Sequence, residues 1–482
     1  MKIVNKSPLV SIIEPELLGD TERRLDPFYY CHLRSLPKIK SKIVLLKEIC
    51  NINPKRKIKG LSEDTIVPYI GLPDTDEHTG AIINIELRPF KEVKGRNVAF
   101  ENDILFARIE PSVYNLKYIY VDKLPDKQKY AFTSTEFYIL ESKKGVNPKY
   151  IFWIIRTDFV YNQVFGKVKG TTGRRRLDKS ELEEFKIPFP SPEVRDKIVK
   201  IMENAHREKI EKIKKSKELI ESLNEVVLNE LDIKLPFFEN EKIYPAELEK
   251  DPEKRLEPSF YHPKYIETLK ALRNGKYPLL PLGKISKIIV SGATPLAKGD
   301  DYTSKEEGVP FIRIVDIRDG EIDLTNVLYI KREVHEGLLK RSQLKPKDVL
   351  LSIAGTIGVA TVVPDNIGEA NINQALAKIT LKDKIKINRD EVELNPYYVS
   401  AFLNSSIGQI LTERFSRPIV QANINLQEVS TIEIPIPPSE VQNKIAEEII
   451  RRKKESKKLK KEAEEVVKIA KKEVEKMITG ET

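Results

Sequence analysis

The stretch IPFPSPEVRDKI, Ile187–Ile198, returns as IPIPPSEVQNKI at Ile434–Ile445, with a constant offset of 247 and seven of twelve residues identical. Each copy introduces a long charged segment free of Pro and Gly, Glu193–Leu231 after the first and Ser439–Ile478 after the second. The prolines stop a preceding strand, because a residue without an N–H cannot continue a ladder. A helix then starts: Ser191 caps, Pro192 supplies a pre-set φ at the first helical position, and Glu193 suits the positive end of the dipole. Ser439 and Glu440 repeat that arrangement in the second copy.

The echo extends through the chain. Arg24–Tyr30 (RLDPFYY) is answered by Arg255–Tyr261 (RLEPSFY), and Val67-Pro68-Tyr69-Ile70 by Val309-Pro310-Phe311-Ile312. Asp103-Ile104-Leu105 is answered by Asp348-Val349-Leu350, and Asn147-Pro148-Lys149-Tyr150 by Asn395-Pro396-Tyr397-Tyr398. The order is kept and offsets run from 231 to 248, so the chain is two copies of a unit of about 240 residues. The first part of each unit, 24–186 and 255–433, holds short β-branched runs such as YIYV, VLLSIA and ATVVP between Gly, Pro, Asn and Asp, which read as strands. Helical patterns follow Asn147-Pro148 and Asn395-Pro396.

In the charged segments Val194, Ile198, Ile201, Ala205, Ile213, Ile220, Leu223 and Val227 form one narrow apolar seam. Leu459, Ala463, Val466, Ala470, Val474 and Met477 form the other. Such stripes want a partner helix, and each is the obvious partner of the other. Related units about a pseudo-twofold axis would make them antiparallel, a rod of about 58 Å for 39 residues at 1.5 Å per residue, with a globule at each end. The expected fold is α+β: two similar α/β domains separated by two long antiparallel coiled-coil helices. The expected boundaries are 1–187, 188–235, 236–434 and 435–482.

At 482 residues the chain exceeds one ordinary core, and 40% apolar content is a globular value. No apolar run approaches the roughly 20 residues of a membrane span, and MKIVNKSPLVSIIEPELL lacks the pattern of a cleaved signal. Cys31 and Cys50 suffice neither for a disulfide framework nor for a four-ligand zinc site. A cytoplasmic protein is the expectation. The net charge of +10 invites a nucleic-acid reading, although Arg451–Thr482 contributes +5 of it, which also fits a solvated helical face.

There is no P-loop, GxGxxG or HExxH. Asn395-Pro396-Tyr397-Tyr398 resembles the N-P-P-Y loop of amino-methyltransferases but lacks its second proline, and a helix start explains it and its twin at Asn147. Pro73-Asp74 with Glu92-Val93-Lys94 fits a loose nuclease pattern. Asp74, Asp76, Glu77 and His78 cluster like metal ligands or an exposed acidic turn, while His32 and His262 read as packing residues. Loop polarity fits nucleic acid better. Lys167, Lys169, Thr171, Thr172, Arg174, Arg175 and Arg176 offer phosphate-binding cations and Arg forks for guanine edges. The counterpart stretch keeps Arg414 and Arg417 as cations, while its Gln421, Asn423 and Asn425 supply amides suited to adenine. Ser291, Thr294, Arg313, Asp316, Arg318, Ser352, Thr356, Asn373 and Gln374 add polar groups at loop ends. Solvated loops are the plain alternative.

On these residues the chain resembles the specificity subunits of type I restriction–modification systems. The RLDPFYY and RLEPSFY openings, SGATP…GVPFIRIVDI, KDVLLSIAGTIG…NINQALAKI and the doubled IP-x-P phrase carry the likeness over almost the whole length. The resemblance implies two target-recognition domains, each reading half of a split double-stranded DNA site. It implies an antiparallel coiled coil that sets the spacer and docks two methyltransferase subunits. Adenine methylation and ATP-driven cleavage would belong to those subunits and a motor/nuclease subunit. S-adenosylmethionine, Mg and ATP are therefore expected on partners, with no cofactor, metal or catalytic residue here. Val441-Gln442 keeps the family pattern, whereas the first copy has Val194-Arg195, and Asn51–Gly60 (NINPKRKIKG) stands where the second copy has SGATP. The halves read should thus differ. A stand-alone DNA-modifying or DNA-cleaving enzyme, and a protein-binding scaffold, are the alternatives.

Overall fold

In the computed structural model each proline-rich phrase ends a two-stranded antiparallel pair before its helix begins. Lys186–Pro188 pairs with Ile43–Leu45, and Glu433–Pro435 with Leu279–Pro281. The Tyr150 hydroxyl donates to the Pro188 carbonyl, and that of Tyr398 to the Pro435 carbonyl at 2.6 Å. Both tyrosines belong to the helices that follow Asn-Pro, Pro148–Ile154 and Pro396–Asn404. Asn147 and Asn395 cap them, each amide oxygen accepting a first-turn N–H.

The structure describes residues 39–125, 129–170, 175–236, 238, 244, 257–295, 300–318, 320–416 and 423–480. Arg24–Tyr30, Cys31, His32, Arg255, Leu256, Thr171, Thr172, Arg174, Arg417 and Gln421 lie outside them. The described chain divides into two compact units, one comprising residues up to Lys214 with those from Leu459, the other Lys215–Lys458. Among the described residues no helix is long and apolar enough to cross a membrane.

The first unit holds a four-stranded antiparallel sheet in the order Cys50–Ile52, Phe137–Ser142, Ile104–Ala107, Tyr118–Tyr120. A second sheet runs Glu86–Pro89, Ile66–Ile70, Tyr130–Thr133, Val98–Phe100, with Ile66–Ile70 and Tyr130–Thr133 parallel. Its core joins Phe106 and Tyr118, stacked at 4.1 Å, to Tyr150 and Trp153 and then to Ile198, Met202, Ala470, Val474 and Ile478. Both charged segments therefore bury an apolar stripe in this unit.

The second unit repeats the first sheet as Ser286–Ser291, Leu376–Leu381, Val349–Ser352, Ala360–Val362. Its other sheet runs Tyr302–Thr303, Leu328–Ile330, Val309–Ile312, Asn371–Ile372, and again the central strand has one antiparallel and one parallel neighbour. Its core includes Val227, Leu231, Tyr398, Phe402, Ile445 and Ile449. The duplicated sequence repeats the first sheet and three strands of the second, whose fourth strand lies at opposite edges, Val98–Phe100 beside Tyr130–Thr133 in one unit and Tyr302–Thr303 beside Leu328–Ile330 in the other.

The last helix is continuous, Ser439–Thr479. The first long segment is not. It divides into Pro192–Glu221 and Leu223–Leu231 at Ser222. The Ser222 hydroxyl bonds back to the Leu219 carbonyl at 2.8 Å, and its own carbonyl accepts from Arg452 at 3.3 Å. Side-chain back-bonding of this kind bends helices. The seam also differs from the apolar spacing: Ile213 is 42% exposed, while Ser216 is fully buried. Ser216 meets Ser456 hydroxyl to hydroxyl at 2.8 Å and donates to the Ser456 carbonyl at 3.2 Å. Within the second unit the segments run oppositely, with Ser216 beside Ser456, Ser222 beside Arg452 and Glu230 beside Lys444. Within the first, Lys212 pairs with Glu462 at 2.7 Å.

Candidate nucleic-acid interface

The parallel pair of the second unit sets Phe311 opposite Asn371 and Ile312 opposite Ile372. Beyond it Asn373 N–H donates to the Ile312 carbonyl, which places Arg313 and Asn373 side by side at the strands' C-terminal ends. Ser291 lies opposite Ala377 in the neighbouring ladder. The Ala375 carbonyl accepts from Ile353 N–H, the Ile353 carbonyl from Ile424 N–H, and Ala354 bridges Asn423. Five stretches distant in sequence thus meet: SGATP, the Arg313 turn, the Ser352–Gly358 loop, Asn373-Gln374 and Asn423.

Their side chains divide by role. Thr294, Thr356, Gln374 and Asn423 are exposed. The Asn373 amide oxygen accepts from Ala375 N–H at 3.2 Å and shapes its own turn. Arg313 donates to the Asp316 carboxylate through Nε at 3.0 Å and Nη2 at 3.1 Å, and Asp316 is buried. Arg318, in the hairpin that follows, is exposed and lies 3.5 Å from Asp323. Three more of the expected residues have partners within the fold. Ser352 is fully buried, its hydroxyl accepting from Val359 N–H to close the loop. Asn425 forms a capping box with Glu428. Arg414 lies 3.9 Å over the Phe260 ring and donates to the Phe260 carbonyl.

The first unit builds the matching place differently. Ile109 bridges Arg176, and Glu110 N–H donates to the Arg175 carbonyl, which brings the loop after Ile104–Ala107 against the hairpin Val168–Lys169/Arg176–Leu177. The hairpin's described cations meet carboxylates: Lys167 and Lys169 pair with Glu181, Arg175 with Glu110, and Arg176 with Glu136 through two bonds. Burial alone would raise the Glu181 pKa, but the lysines hold it below the usual range. The three glutamates were not visible as partners in the sequence, because each is brought in by tertiary pairing. The result is a set of Arg and Lys groups held in place.

The acidic turn is not the exposed feature its composition suggested. Asp74 is buried and accepts from Gly71 N–H and the Asn84 amide, both at 2.8 Å. Asp76 accepts from His78 N–H and the Thr79 hydroxyl, and these bonds hold its pKa low against burial, which alone would raise it. Glu92 and Lys94 are exposed, and Lys94 pairs with Glu63. Among the described residues no group of three or more His, Cys, Asp or Glu is placed to hold a metal ion. Both polar ends of the Asn395 side chain are engaged: its oxygen in the cap, its amine on Asn443 at 2.8 Å. His262 accepts from Lys264 N–H and packs edge-on against Tyr244 and Tyr265.

One recurring contact was not foreseen. His206 Nε2 meets the Thr79 carbonyl at 2.6 Å, and Lys453 Nζ donates to the Gly320 carbonyl at 3.2 Å. Each ties a long helix to the tip of a short hairpin in its own unit. A cleft opens beside each clasp. That of about 610 Å³ is lined by Ile82, Tyr120, Lys149, Trp153, Glu203 and His206. That of about 820 Å³ is lined by Ile322, Val362, Tyr397, Ala401, Ile450 and Lys453.

A family model described as type I restriction modification DNA specificity domain matches residues 38–222 and 277–468. The EcoBI specificity subunit of a type I restriction enzyme of Escherichia coli is 30% identical over 151 residues, 31% of this chain and 29% of that protein. The chain thus matches under a third of that relative's length. The putative type I restriction enzyme MjaX specificity subunit of Methanocaldococcus jannaschii is 23% identical over 81% of this chain and 82% of its own. A solved chain from work on complex assembly and conformational transition of the type I R–M system is similar in fold. It has a TM-score of 0.50 at 18% identity, covering 93% of this chain and 100% of that one.

Proposed function

This chain belongs to the type I restriction modification DNA specificity family, and from that premise we propose that it reads a two-part, asymmetric double-stranded DNA site and catalyses no step itself. Each unit reads one half. The observation that carries the reading is the convergence, in the second unit, of SGATP, Arg313, Thr356, Asn373-Gln374 and Asn423 from five separate stretches onto one set of strand ends. Loops carried on a rigid sheet suit side chains that must meet base edges in register. The first unit presents Arg and Lys where the second presents Thr, Asn and Gln, so the halves differ in the bases they prefer.

The functional boundaries are 1–187 and 236–434 for the two readers, and 188–235 and 435–482 for the helices. The helices form an antiparallel coiled coil that relates the units by pseudo-twofold symmetry and sets the spacer. The opposed pairs Ser216–Ser456, Ser222–Arg452, Glu230–Lys444 and Lys212–Glu462 support this. Two methyltransferase subunits dock through these helices, where Ile210, Ile213, Ile450 and Ile469 expose apolar surface. Matched clefts beside each clasp are consistent with two equivalent partners. S-adenosylmethionine, Mg and ATP act on those subunits and on an associated motor/nuclease subunit, in the cytoplasm. A stand-alone enzyme using Asn395 is disfavoured by its capping role, and one using Asp74 by its burial.

Co-expression with the methyltransferase encoded alongside, then base-resolution mapping of modified adenine, tests this. One split motif with unlike halves is expected. The purified chain alone should neither methylate nor cut DNA, and the complex's affinity should fall steeply with salt. A contiguous motif, or salt-insensitive binding as for a protein scaffold, would overturn the proposal.

A further inference from the structure

The turn Arg313–Asp316 has a property that its backbone hydrogen bond does not require. Asp316 already caps it, accepting Arg313 N–H at 2.9 Å. The first unit makes the same turn at Gly71–Asp74, where the carboxylate accepts Gly71 N–H at 2.8 Å. Glycine stands at the arginine's place there, and the other carboxylate oxygen takes the Asn84 amide. The turn's backbone bond therefore forms without a guanidinium, and the partner that the Asn84 amide gives Asp74 is supplied to Asp316 by Arg313 itself.

What the second unit gains is an arginine held still. Asp316, 5% exposed in its side chain, grips the Nε–Nη2 edge of a guanidinium whose side chain is 30% exposed. The Nη1–Nη2 end faces away from the carboxylate and retains donors for a second fork. Val315, between them, is 59% exposed. The turn thus offers a fixed pair of N–H donors and an apolar β-branched side chain, next to Asn373 at the strand ends.

Resting on the two-half reading above, we propose that Arg313 is a specificity-determining residue that reads a guanine through O6 and N7, with Asp316 as its positioning residue. A free arginine loses rotamer freedom when it binds, whereas one already oriented by a buried carboxylate loses less. Bidentate pairing with O6 and N7 is the contact that best separates guanine from adenine in the major groove. Because Gly71 occupies the matching place, the turn of the first unit makes no such contact, and this guanine requirement belongs to the half-site that the second unit reads.

The test uses the full chain in complex with its methyltransferase. Adenine methylation is mapped, and binding is measured on duplexes altered at single positions. The wild type should require a G·C pair at one position of the half-site that the second unit reads. Arg313→Ala should relax that position alone, with the penalty for A·T there falling from roughly 5- to 150-fold to near unity. Arg313→Lys keeps the charge but loses the planar fork that Asp316 orients, and should weaken the preference at the same position while retaining overall affinity. It decides the matter if Arg313→Ala does not assemble. Asp316→Asn should loosen the same position and no other, a selective change that general loss of folding would not produce. If both Arg313 variants keep full stringency at every G·C position, the inference falls while the two-half reading stands. If the wild type shows no split motif, that reading fails first.

Discussion

Gln442 is fully buried with both ends of its amide in use. Oε1 accepts Asn395 N–H at 2.9 Å, and Nε2 donates to the Pro437 carbonyl at 2.9 Å. It fastens the first turn of the last helix to the start of Pro396–Asn404. Gln442→Ala strands a half-buried N–H and a buried carbonyl, a loss of about 1–3 kcal/mol. Amide hydrogen exchange across Pro396–Asn404 should therefore accelerate by at least about fivefold; unchanged protection would mean that the tie is dispensable. The first copy holds its phrase by other means. Arg195 lies 4.1 Å over the Phe189 ring, with its Nε buried and without a hydrogen-bond partner. At this scale the sequence is readable where the physics is local, as in the Asn147 and Asn395 caps, whose partners lie two or three residues on. It is opaque where a side chain's direction depends on tertiary context. Ser352 is buried by the ladders around it, and Arg175 and Arg176 are held by Glu110 and Glu136, supplied from elsewhere in the chain.

Among elements, the hairpin clasps show how two copies of one design diverge in response to pH. Burial lowers the His206 pKa, and the positive charges of Arg156 and Lys209 lower it further, against opposing effects of the Thr79 carbonyl and Asp76. Its folded value therefore lies below the unfolded one of about 6.5. Between the two values the unfolded chain binds the proton more readily, so the stabilisation is complete above the unfolded value and is lost as pH falls toward the folded one. Trp153, the chain's single tryptophan, lies 5.1 Å from the His206 ring and provides the readout. The first unit's melting temperature, followed by tryptophan fluorescence, should fall from about pH 7 to about pH 5. His206→Gln should flatten that slope; the same slope in the variant would locate the titration elsewhere. Lys453 stands at the matching place in the second unit, which has no imidazole there. Apolar spacing foretold both long helices but not the buried hydroxyl pair between them. Ser216 and Ser456 lie inside because two small hydroxyls that satisfy one another can be buried without an unpaired polar group, while Ile213 turns outward. A pattern that counts only apolar residues misses a polar seam.

For the whole molecule, duplication and the paired helices make one quantitative demand. If the helices set the distance between half-sites, shortening both by one heptad must shorten the spacer without altering either half. Residues Ile210–Ser216 and Ser456–Glu462 are matched segments, because Lys212 meets Glu462 and Ser216 meets Ser456. Removing both keeps the seven-residue phase and takes away about 10 Å at 1.5 Å per residue. That length corresponds to about 3 base pairs at roughly 3.4 Å each. The methylation map of the doubly deleted complex should keep the two half-site sequences and bring them about 3 base pairs closer. Deleting either segment alone misaligns the opposed pairs and should abolish modification rather than shorten the spacer. On the proposed reading the half-sites report the loops and the spacer reports the helices, so the two sets of variants separate base reading from spacing. A doubly deleted complex that modified DNA at the original spacing would show that the helices do not measure the distance.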